Sequence, residues 1–321
     1  MTALLLFLGL SDKKFLILVV GPTAVGKTAL CIKLAKKFET EIISCDSRQF
    51  YREMNLGTAK PSQEELSEVP HHLVNSLSIH EEYDVRKFET DALKISEDLF
   101  QRKNVVIVTG GSGLFADALT EGMDEIPTVD PEIREQIIGE YEKNGLEWLQ
   151  EQIANLDPDY YSQVDRQNPQ RLMRALEVIR GTGARFSSFR KKAKADRPFQ
   201  TIKIGLNRDR EELYQRIDLR MDQMIREGLF EEAQALFEYR NLNALQTVGY
   251  SEIFGFLEGK YDREEAVRLL KRNSRRYAKR QLTWFRRDEA IRWFHPDQES
   301  DIFSWIANQM GPNPLSLATQ L

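Results

Sequence analysis

The stretch that decides the fold lies near the start of the chain and reads Phe15-Leu-Ile-Leu-Val-Val-Gly21-Pro-Thr-Ala-Val-Gly26-Lys27-Thr28. The apolar part, residues 15–20, has the composition of a strand that is buried on both faces of a parallel sheet. The rest matches G-x-x-x-x-G-K-[ST], and a helical pattern follows over residues 28–38. A strand, a glycine-rich loop and a helix in this order predict a phosphate-binding loop.

The chemistry of this loop indicates a diphosphate or triphosphate ligand. The glycines allow backbone N–H groups to point inward at phosphate oxygens beside a helix amino terminus. The ammonium of Lys27 supplies a positive charge, and the hydroxyl of Thr28 can ligate Mg²⁺, so we predict magnesium as a cofactor. A nucleoside triphosphate is the default ligand, and a kinase or NTPase is the default class. The predicted diphosphate-binding residues are Gly21, Pro22, Thr23, Ala24, Val25, Gly26, Lys27 and Thr28.

Further short apolar segments have strand character, at residues 41–44, 105–108, 201–206 and 291–294. Helical patterns separate them, which favours parallel pairing with helices on both faces of the sheet. We therefore predict an α/β fold, in which a P-loop parallel sheet core is flanked by helices.

The long interval between the predicted strands at residues 105–108 and 201–206 has no strand character. Asp130-Pro131 and Asn168-Pro169 each have the pattern of a helix start within it. We predict an all-helical insertion domain at residues 127–198, between a first part of the core at 1–126 and its continuation, with basic helices, at 199–310. Residues 311–321 are predicted to be a flexible tail.

The composition of the chain limits which binding partners and which cellular location are expected. The chain has 321 residues and a net charge of −5, which argues against general nucleic-acid binding, but basic residues crowd 185–197 and 263–287. Its two cysteines are too few for a secreted disulfide framework. The apolar residues 1–10 are too short to span a bilayer, which takes about 20 residues, and we predict a loose tail there. We expect a cytoplasmic protein with no membrane partner.

Polar residues follow the second and third predicted strands, where ligands bind in open α/β sheets. Asp46 follows the second strand and is placed to accept a proton near a bound phosphate. The alternative for Asp46 is an ordinary turn or helix-cap carboxylate. The third strand ends in Val108-Thr109-Gly110, without the acidic residue that many NTPases keep there, and this weakens the kinase prediction.

An ordered series of motifs over most of the chain, from about residue 15 to 294, resembles tRNA dimethylallyltransferases. The series occupies residues 21–28, 46–51, 57–61, 70–73, 110–115, 168–178, 248–250 and 279–285. The glycine-rich segment departs from the family pattern, because Ser112 replaces a threonine and Phe115 replaces a tyrosine. Serine keeps the hydroxyl, whereas phenylalanine loses one.

The resemblance implies transfer of a dimethylallyl group from dimethylallyl diphosphate to the exocyclic amine of the adenine 3′ of the anticodon in tRNA. Asp46 would accept the proton of the amine, while Ser112 and an arginine, Arg216 or Arg220, would hold the pyrophosphate. From their spacing alone, these arginines could equally be surface ion-pair partners. The implied tRNA-binding residues are Asp46, Ser47, Arg48, Gln49, Gln170, Arg171, Leu172, Met173, Arg174, Gly249, Tyr250, Lys279, Arg280 and Gln281. The anticodon loop of tRNA and dimethylallyl diphosphate are thus the expected partners of a monomer.

A basic amphipathic helix is predicted over residues 263–287. Helical spacing collects its cations on one broad face, opposite Val267, Leu270, Tyr277 and Phe285. These cations are Arg268, Lys271, Arg272, Arg275, Arg276, Lys279 and Arg280. A solvated face normally mixes both signs of charge, so RNA phosphate is the favoured partner of this one.

Three other functions explain fewer of the motifs. A P-loop small-molecule kinase leaves the basic helix and the long insertion without a role. An enzyme that prenylates free adenine nucleotides needs neither of them. A non-catalytic RNA-binding module leaves the phosphate loop unexplained.

Overall fold

The computed structural model describes residues 13–191 and 194–311. The tails predicted at residues 1–10 and from residue 311 onward lie outside the described residues, apart from Gly311. The chain divides into two compact units, a core of residues 1–120 with 197–321 and an insertion of residues 121–196.

The core is built on a six-stranded sheet in the order β3-β2-β4-β1-β5-β6, with every pair parallel. The strands are β1 (Phe15–Val20), β2 (Ile42–Ser44), β3 (His71–His72), β4 (Val105–Gly110), β5 (Gln200–Leu206) and β6 (Arg292–Phe294). The predicted α/β class and the predicted strands are confirmed. The edge strand β3 was not predicted.

Helices cover both faces of the sheet, and the described secondary structure of the insertion is helical. In chain order they are α1 (Lys27–Lys37), α2 (Gln63–Glu68), α3 (Val85–Phe100), α4 (Gly113–Glu121), α5 (Pro131–Leu156), α6 (Pro158–Tyr161), α7 (Pro169–Thr182), α8 (Phe186–Phe189), α9 (Arg210–Arg226), α10 (Leu229–Ala235), α11 (Tyr250–Leu257), α12 (Arg263–Phe285) and α13 (Glu299–Met310). Within the described ranges, no helix is long and apolar enough to cross a membrane.

Strand β1 forms the centre of the core because all of its side chains are buried. Phe15, Ile17 and Val19 pack in one apolar cluster with α1 and α13, whereas alternate residues such as Leu16 and Leu18 pack in a second cluster with α3. A strand covered on both faces needs the continuous apolar run that the sequence shows. A third cluster joins helices α9 to α12 beside the sheet.

The insertion unit is helical throughout its secondary structure. Its two longest helices begin where their capping residues predict, because Asp130 accepts from the backbone N–H of Glu132 and Asn168 accepts from that of Arg171. The apolar faces of α5 and α7 enclose a core of their own.

Candidate active site

A cavity of about 710 Å³ lies at the carboxyl ends of β1, β2 and β4, wholly within the core unit. One wall is the phosphate loop at residues 23–28, and another holds Ser44, the last residue of β2, and Asp46, which follows it. Further parts of the wall are residues 57–61, residues 247–249, helix α9 and helix α12. The topology therefore brings together groups that are far apart in the sequence.

The phosphate loop has a conformation that requires its glycines. Gly21 has φ of 147°, and a Cβ there would lie 2.5 Å from the carbonyl oxygen of Leu206. Within the loop, Lys27 Nζ donates to the carbonyl oxygens of Gly21 and Pro22, both at 2.9 Å. Burial lowers the pKa of Lys27 to about 8, and the carboxylate of Asp46 opposes that shift. The lysine is therefore a desolvated cation facing a carboxylate.

Asp46 uses its two oxygens differently. Oδ1 accepts from the backbone N–H of Arg48 at 3.1 Å, which is the turn contact expected of a carboxylate after a strand. Oδ2 faces the end of β4, 3.6 Å from where a Cβ on Gly111 would lie. Among the described residues Oδ2 has no hydrogen-bond partner, so one oxygen orients the side chain and leaves the other available.

Arg220 and Arg216 extend from α9 onto the phosphate loop. Arg220 donates to Thr23 Oγ1 at 3.2 Å and to the carbonyl oxygen of Ala59 at 3.0 Å. Arg216 lies further out and donates to the carbonyl oxygen of Ala24 at 3.0 Å. Burial lowers the pKa of Arg220, against the attraction of Asp46. Neither arginine forms a salt bridge with a described residue, so Arg220 is an inner cation and Arg216 an outer one.

Ser112 links the ends of β2 and β4. Its hydroxyl accepts from the backbone N–H of Ser47 at 3.0 Å and lies 3.0 Å from the Ser47 hydroxyl. Gly110 allows this approach, since a Cβ there would lie 2.6 Å from the backbone carbon of Cys45. The predicted catalytic residues Asp46, Ser112 and Arg220 are thus held at one edge of the sheet.

Gln281 joins the phosphate loop to the end of β4 from helix α12. Its Oε1 accepts from the backbone N–H of Thr23 at 2.9 Å, and its Nε2 donates to the carbonyl oxygen of Gly111 at 3.0 Å. The side chain is 5% exposed. Both polar ends of the amide are thus bonded inside the protein, at the wall of the cavity, and the RNA contact of Gln281 stays a prediction.

Tyr277 lies one helical turn before Gln281 and lines the same cavity. Burial raises its pKa, as does the negative charge of Asp46, while a hydrogen bond with Ser112 opposes the shift. The helical pattern of the sequence predicts Tyr277 on the apolar side of the helix. The spacing of four residues from Gln281 was the available signal that both side chains share a face.

Several of the residues predicted to bind tRNA have buried side chains that pack within the protein. Tyr250 is fully buried, and its hydroxyl donates to Glu232 Oε1 at 2.6 Å. Leu172 and Met173 belong to the apolar core of the insertion unit. These three side chains are buried, so the RNA contacts predicted for Leu172, Met173 and Tyr250 stay predictions that would have to use the backbone.

The other predicted tRNA-binding residues are more accessible. Arg171 is exposed on α7, whereas Arg174 pairs with Glu177 at 2.6 Å. The exposed amide of Gln170 accepts from Arg134 at 3.1 Å.

On the core unit, the cavity wall includes Arg48, Gln49 and Gly249. Arg48 donates to the carbonyl oxygen of Asn243 at 2.9 Å, and Gln49 donates to that of Ala59 at 3.2 Å. Ser47 is occupied by its contact with Ser112. Some of these predicted RNA-contacting residues thus also hold the wall together.

Six of the seven cations named on α12 fall into two groups, and the seventh, the half-buried Arg272, donates to Asn273 Oδ1 at 3.2 Å. Arg268 pairs with Glu265, while Lys271 and Arg275 pair with Asp222 and Asp218 of α9 at 2.6 and 2.5 Å. By contrast, Arg276, Lys279 and Arg280 are exposed and have no carboxylate partner among the described residues. The predicted basic face is therefore partly neutralised, because Lys271 and Arg275 pair with carboxylates of α9, and its contact with RNA stays a prediction.

Comparisons with known proteins agree on one family. A family model described as IPP transferase matches residues 49–288. The chain is 54% identical to a tRNA dimethylallyltransferase of Cytophaga hutchinsonii, over 91% of this chain and 96% of that protein. It is 49% identical to tRNA dimethylallyltransferase 1 of Bacteroides fragilis, over 91% and 97% of the two chains.

Solved structures show the same likeness. A full-length tRNA isopentenylpyrophosphate transferase of Bacillus halodurans superposes with a TM-score of 0.68 at 36% identity, over 92% of this chain and 96% of that one. A eukaryotic dimethylallyltransferase acting on tRNA superposes with a TM-score of 0.70 at 29% identity, over 85% and 70% of the two chains.

Proposed function

The chain belongs to the IPP transferase family, and we propose that it transfers a dimethylallyl group from dimethylallyl diphosphate to the exocyclic amine of the adenine 3′ of the anticodon in tRNA. The observation that carries this proposal is the free carboxylate oxygen of Asp46 in the same cavity as the phosphate loop. A nucleophile that enters beside Asp46 would meet a diphosphate ester held by that loop. The family match favours this function over the kinase alternative.

The phosphate loop would grip the leaving group. The bond from the allylic carbon to the diphosphate oxygen breaks, and negative charge develops on the pyrophosphate. The Lys27 ammonium and the Arg220 guanidinium are desolvated beside the loop, so their attraction for this charge is stronger than it would be in water. Ser112, which links the ends of β2 and β4, and Arg216, which donates to the phosphate loop, would extend the same contacts.

Asp46 would accept the proton from the adenine amine as the new carbon–nitrogen bond forms. That amine is a poor nucleophile because its lone pair is delocalised into the ring. Holding Oδ1 in the turn fixes the direction of Oδ2, so the acceptor requires little reorganisation at the moment of reaction.

Magnesium fits the donors that the chain presents. The described residues contain no cluster of three His, Cys, Asp or Glu side chains that could hold a metal. Mg²⁺ instead takes one or two protein oxygens and completes its shell with phosphate oxygens and water. Thr28, which lines the cavity, would supply the protein oxygen, and the bound ion would neutralise part of the diphosphate charge.

The target adenine must leave the stacked anticodon loop to reach Asp46. Flipping a base out costs a few kcal/mol, which contacts with the rest of the tRNA must offset. Exposed cations for the RNA phosphates are present on both units. They are Arg276, Lys279 and Arg280 on the core unit and Arg171 on the insertion unit.

The cytoplasmic location and the monomeric state of the protein stay predictions. Sedimentation of the purified protein tests the monomeric state.

Paired assays with labelled substrates test the proposal. The protein is incubated with unmodified tRNA, Mg²⁺ and labelled dimethylallyl diphosphate, and in parallel with γ-labelled ATP and the same tRNA or small-molecule acceptors. We expect label in tRNA only from the prenyl donor, at the adenine beside the anticodon. ATP-dependent phosphorylation without prenyl transfer would return the chain to the kinase class.

A further inference from the structure

We propose that Glu232 on α10 is a positioning residue for the diphosphate site, which it serves by holding the loop at residues 55–61 in place under Arg220. This inference rests on the proposed function, because it concerns how that diphosphate is held. Glu232 is half-buried and does not line the cavity, so it acts through the loop and not on the substrate.

The carboxylate of Glu232 accepts from three consecutive backbone N–H groups. Oε2 accepts from Asn55 at 3.0 Å and from Leu56 at 2.9 Å, while Oε1 accepts from Gly57 at 3.0 Å. The hydroxyl of Tyr250 donates a fourth hydrogen bond to Oε1 at 2.6 Å. Hydrogen bonds to a charged acceptor are the stronger kind, and four on one carboxylate fix both the loop and the side chain.

Tight packing leaves the loop little freedom to find other partners. A Cβ on Gly57 would lie 2.4 Å from the ring of Tyr250, and one on Gly249 would lie 3.3 Å from the carbonyl oxygen of Gly57. Only glycine allows this approach at residue 57. Without the carboxylate, the backbone N–H of Gly57 would lose its acceptor at a half-buried position beside the Tyr250 ring.

The loop transmits its position to Arg220 through one carbonyl group. Ala59, which has a left-handed φ of 50°, turns its carbonyl oxygen to accept from Arg220 Nη2 at 3.0 Å. The same guanidinium donates to Thr23 of the phosphate loop through Nη1. Arg220 is therefore aimed by two contacts, one from the phosphate loop and one from the loop that Glu232 holds.

The matched substitution is Glu232→Gln, which keeps the shape of the side chain. An amide keeps one acceptor oxygen, and its NH₂ group would face one or more of the backbone N–H groups. We expect kcat/KM for dimethylallyl diphosphate to fall about tenfold or more, because a misaimed Arg220 loses its hold on the diphosphate. The dissociation constant for tRNA should stay within about twofold, and Glu231→Gln, at the exposed neighbouring residue, should behave as the wild type.

A double-mutant cycle with Arg220→Ala separates positioning from a general structural effect. If Glu232 acts through Arg220, Glu232→Gln should cause little further loss in the Arg220→Ala background. Additive losses, or a wild-type kcat/KM in the single variant, would overturn the inference.

If Glu232→Gln does not fold, Tyr250→Phe replaces it in the same cycle. This substitution removes one of the four hydrogen bonds to the carboxylate, and we expect a smaller loss in kcat/KM of about threefold. A wild-type protein that transfers no prenyl group would contradict the proposed function and is seen before any variant is made.

Discussion

The cavity and the carboxyl-terminal half of α12 both present positive charge, but they hold it in different ways. In the cavity, Lys27 and Arg220 are desolvated, and each is bonded to polar groups of the surrounding loops. On α12, Arg276, Lys279 and Arg280 lie in solvent without a carboxylate partner in the described part of the chain. A buried charge interacts strongly with a ligand group that is correctly positioned beside it. Exposed charges interact weakly one by one, their contributions add, and salt screens them.

The largest effect should come from the cavity, at Asp46. Asp46→Asn keeps the turn acceptor but removes the basic oxygen, so we expect kcat to fall by about 100-fold or more. Single-turnover prenyl transfer measures this loss. The affinity for tRNA and its salt dependence should stay at wild-type values, because Asp46 acts through its position in the cavity and does not attract RNA phosphates. Wild-type turnover would leave Asp46 as a turn residue only.

The next effect is a dependence on pH. Burial lowers the pKa of Lys27 to about 8, so the ammonium is charged below that pH and neutral above it. We therefore expect kcat/KM for dimethylallyl diphosphate to fall about tenfold per pH unit above pH 8.

A matched pair of variants assigns this pH dependence. Lys60 also lines the cavity, and burial lowers its pKa to about 8 as well. Lys27→Arg should make the profile flat up to about pH 10, because arginine stays charged there. Lys60→Arg should leave the fall in place, and the reverse result would assign the titration to Lys60.

A smaller effect is expected from the exposed cations. Replacing Arg276, Lys279 and Arg280 together with Ala should weaken tRNA binding about tenfold at moderate salt. It should also flatten the plot of log Kobs against log salt by about 2, at about 0.7 per lost phosphate contact. Titrations at several salt concentrations give both values, and the KM for dimethylallyl diphosphate serves as the internal control. An unchanged slope would mean that RNA follows another path.

The smallest effect is expected from the α12 cations that are paired with α9, and it tests whether they differ from the exposed ones. Lys271 and Arg275 are already paired with Asp222 and Asp218. Replacing both with Ala should change the salt slope for tRNA by less than about 0.5 and cost about 1 kcal/mol of stability or less, as partly exposed ion pairs do. A slope change as large as that of the triple variant would show that RNA competes for these lysine and arginine side chains.

The sheet was largely predictable because its strands are buried runs of apolar residues. Strand β3 was missed because His71-His72 is short, polar and at an edge, where neither length nor periodicity marks it. The phosphate loop and Asp46 could be predicted because motif and strand end are local features of the sequence.

The partners of individual side chains could not be predicted. Helical spacing placed Lys271 and Arg275 on the basic face, but their neutralisation by α9 depends on how two helices pack. Gln281 was assigned to RNA through the family resemblance, which gives no information on the hydrogen bonds that its amide makes to Thr23 and Gly111. Glu232 went unnoticed because its contacts are backbone N–H groups, which every sequence has.

The bond from Thr23 to Gln281 also bears on how the protein is made. The two residues are separated by 258 positions, so a ribosome that adds about 5–20 residues per second needs roughly 13–50 seconds between them. The phosphate loop is therefore synthesised well before the side chain that completes its contacts. A nascent or truncated chain that lacks α12 would contain the phosphate-loop motif but not the hydrogen bond from Thr23 to Gln281. The cavity wall is complete only when the chain has been synthesised as far as α12.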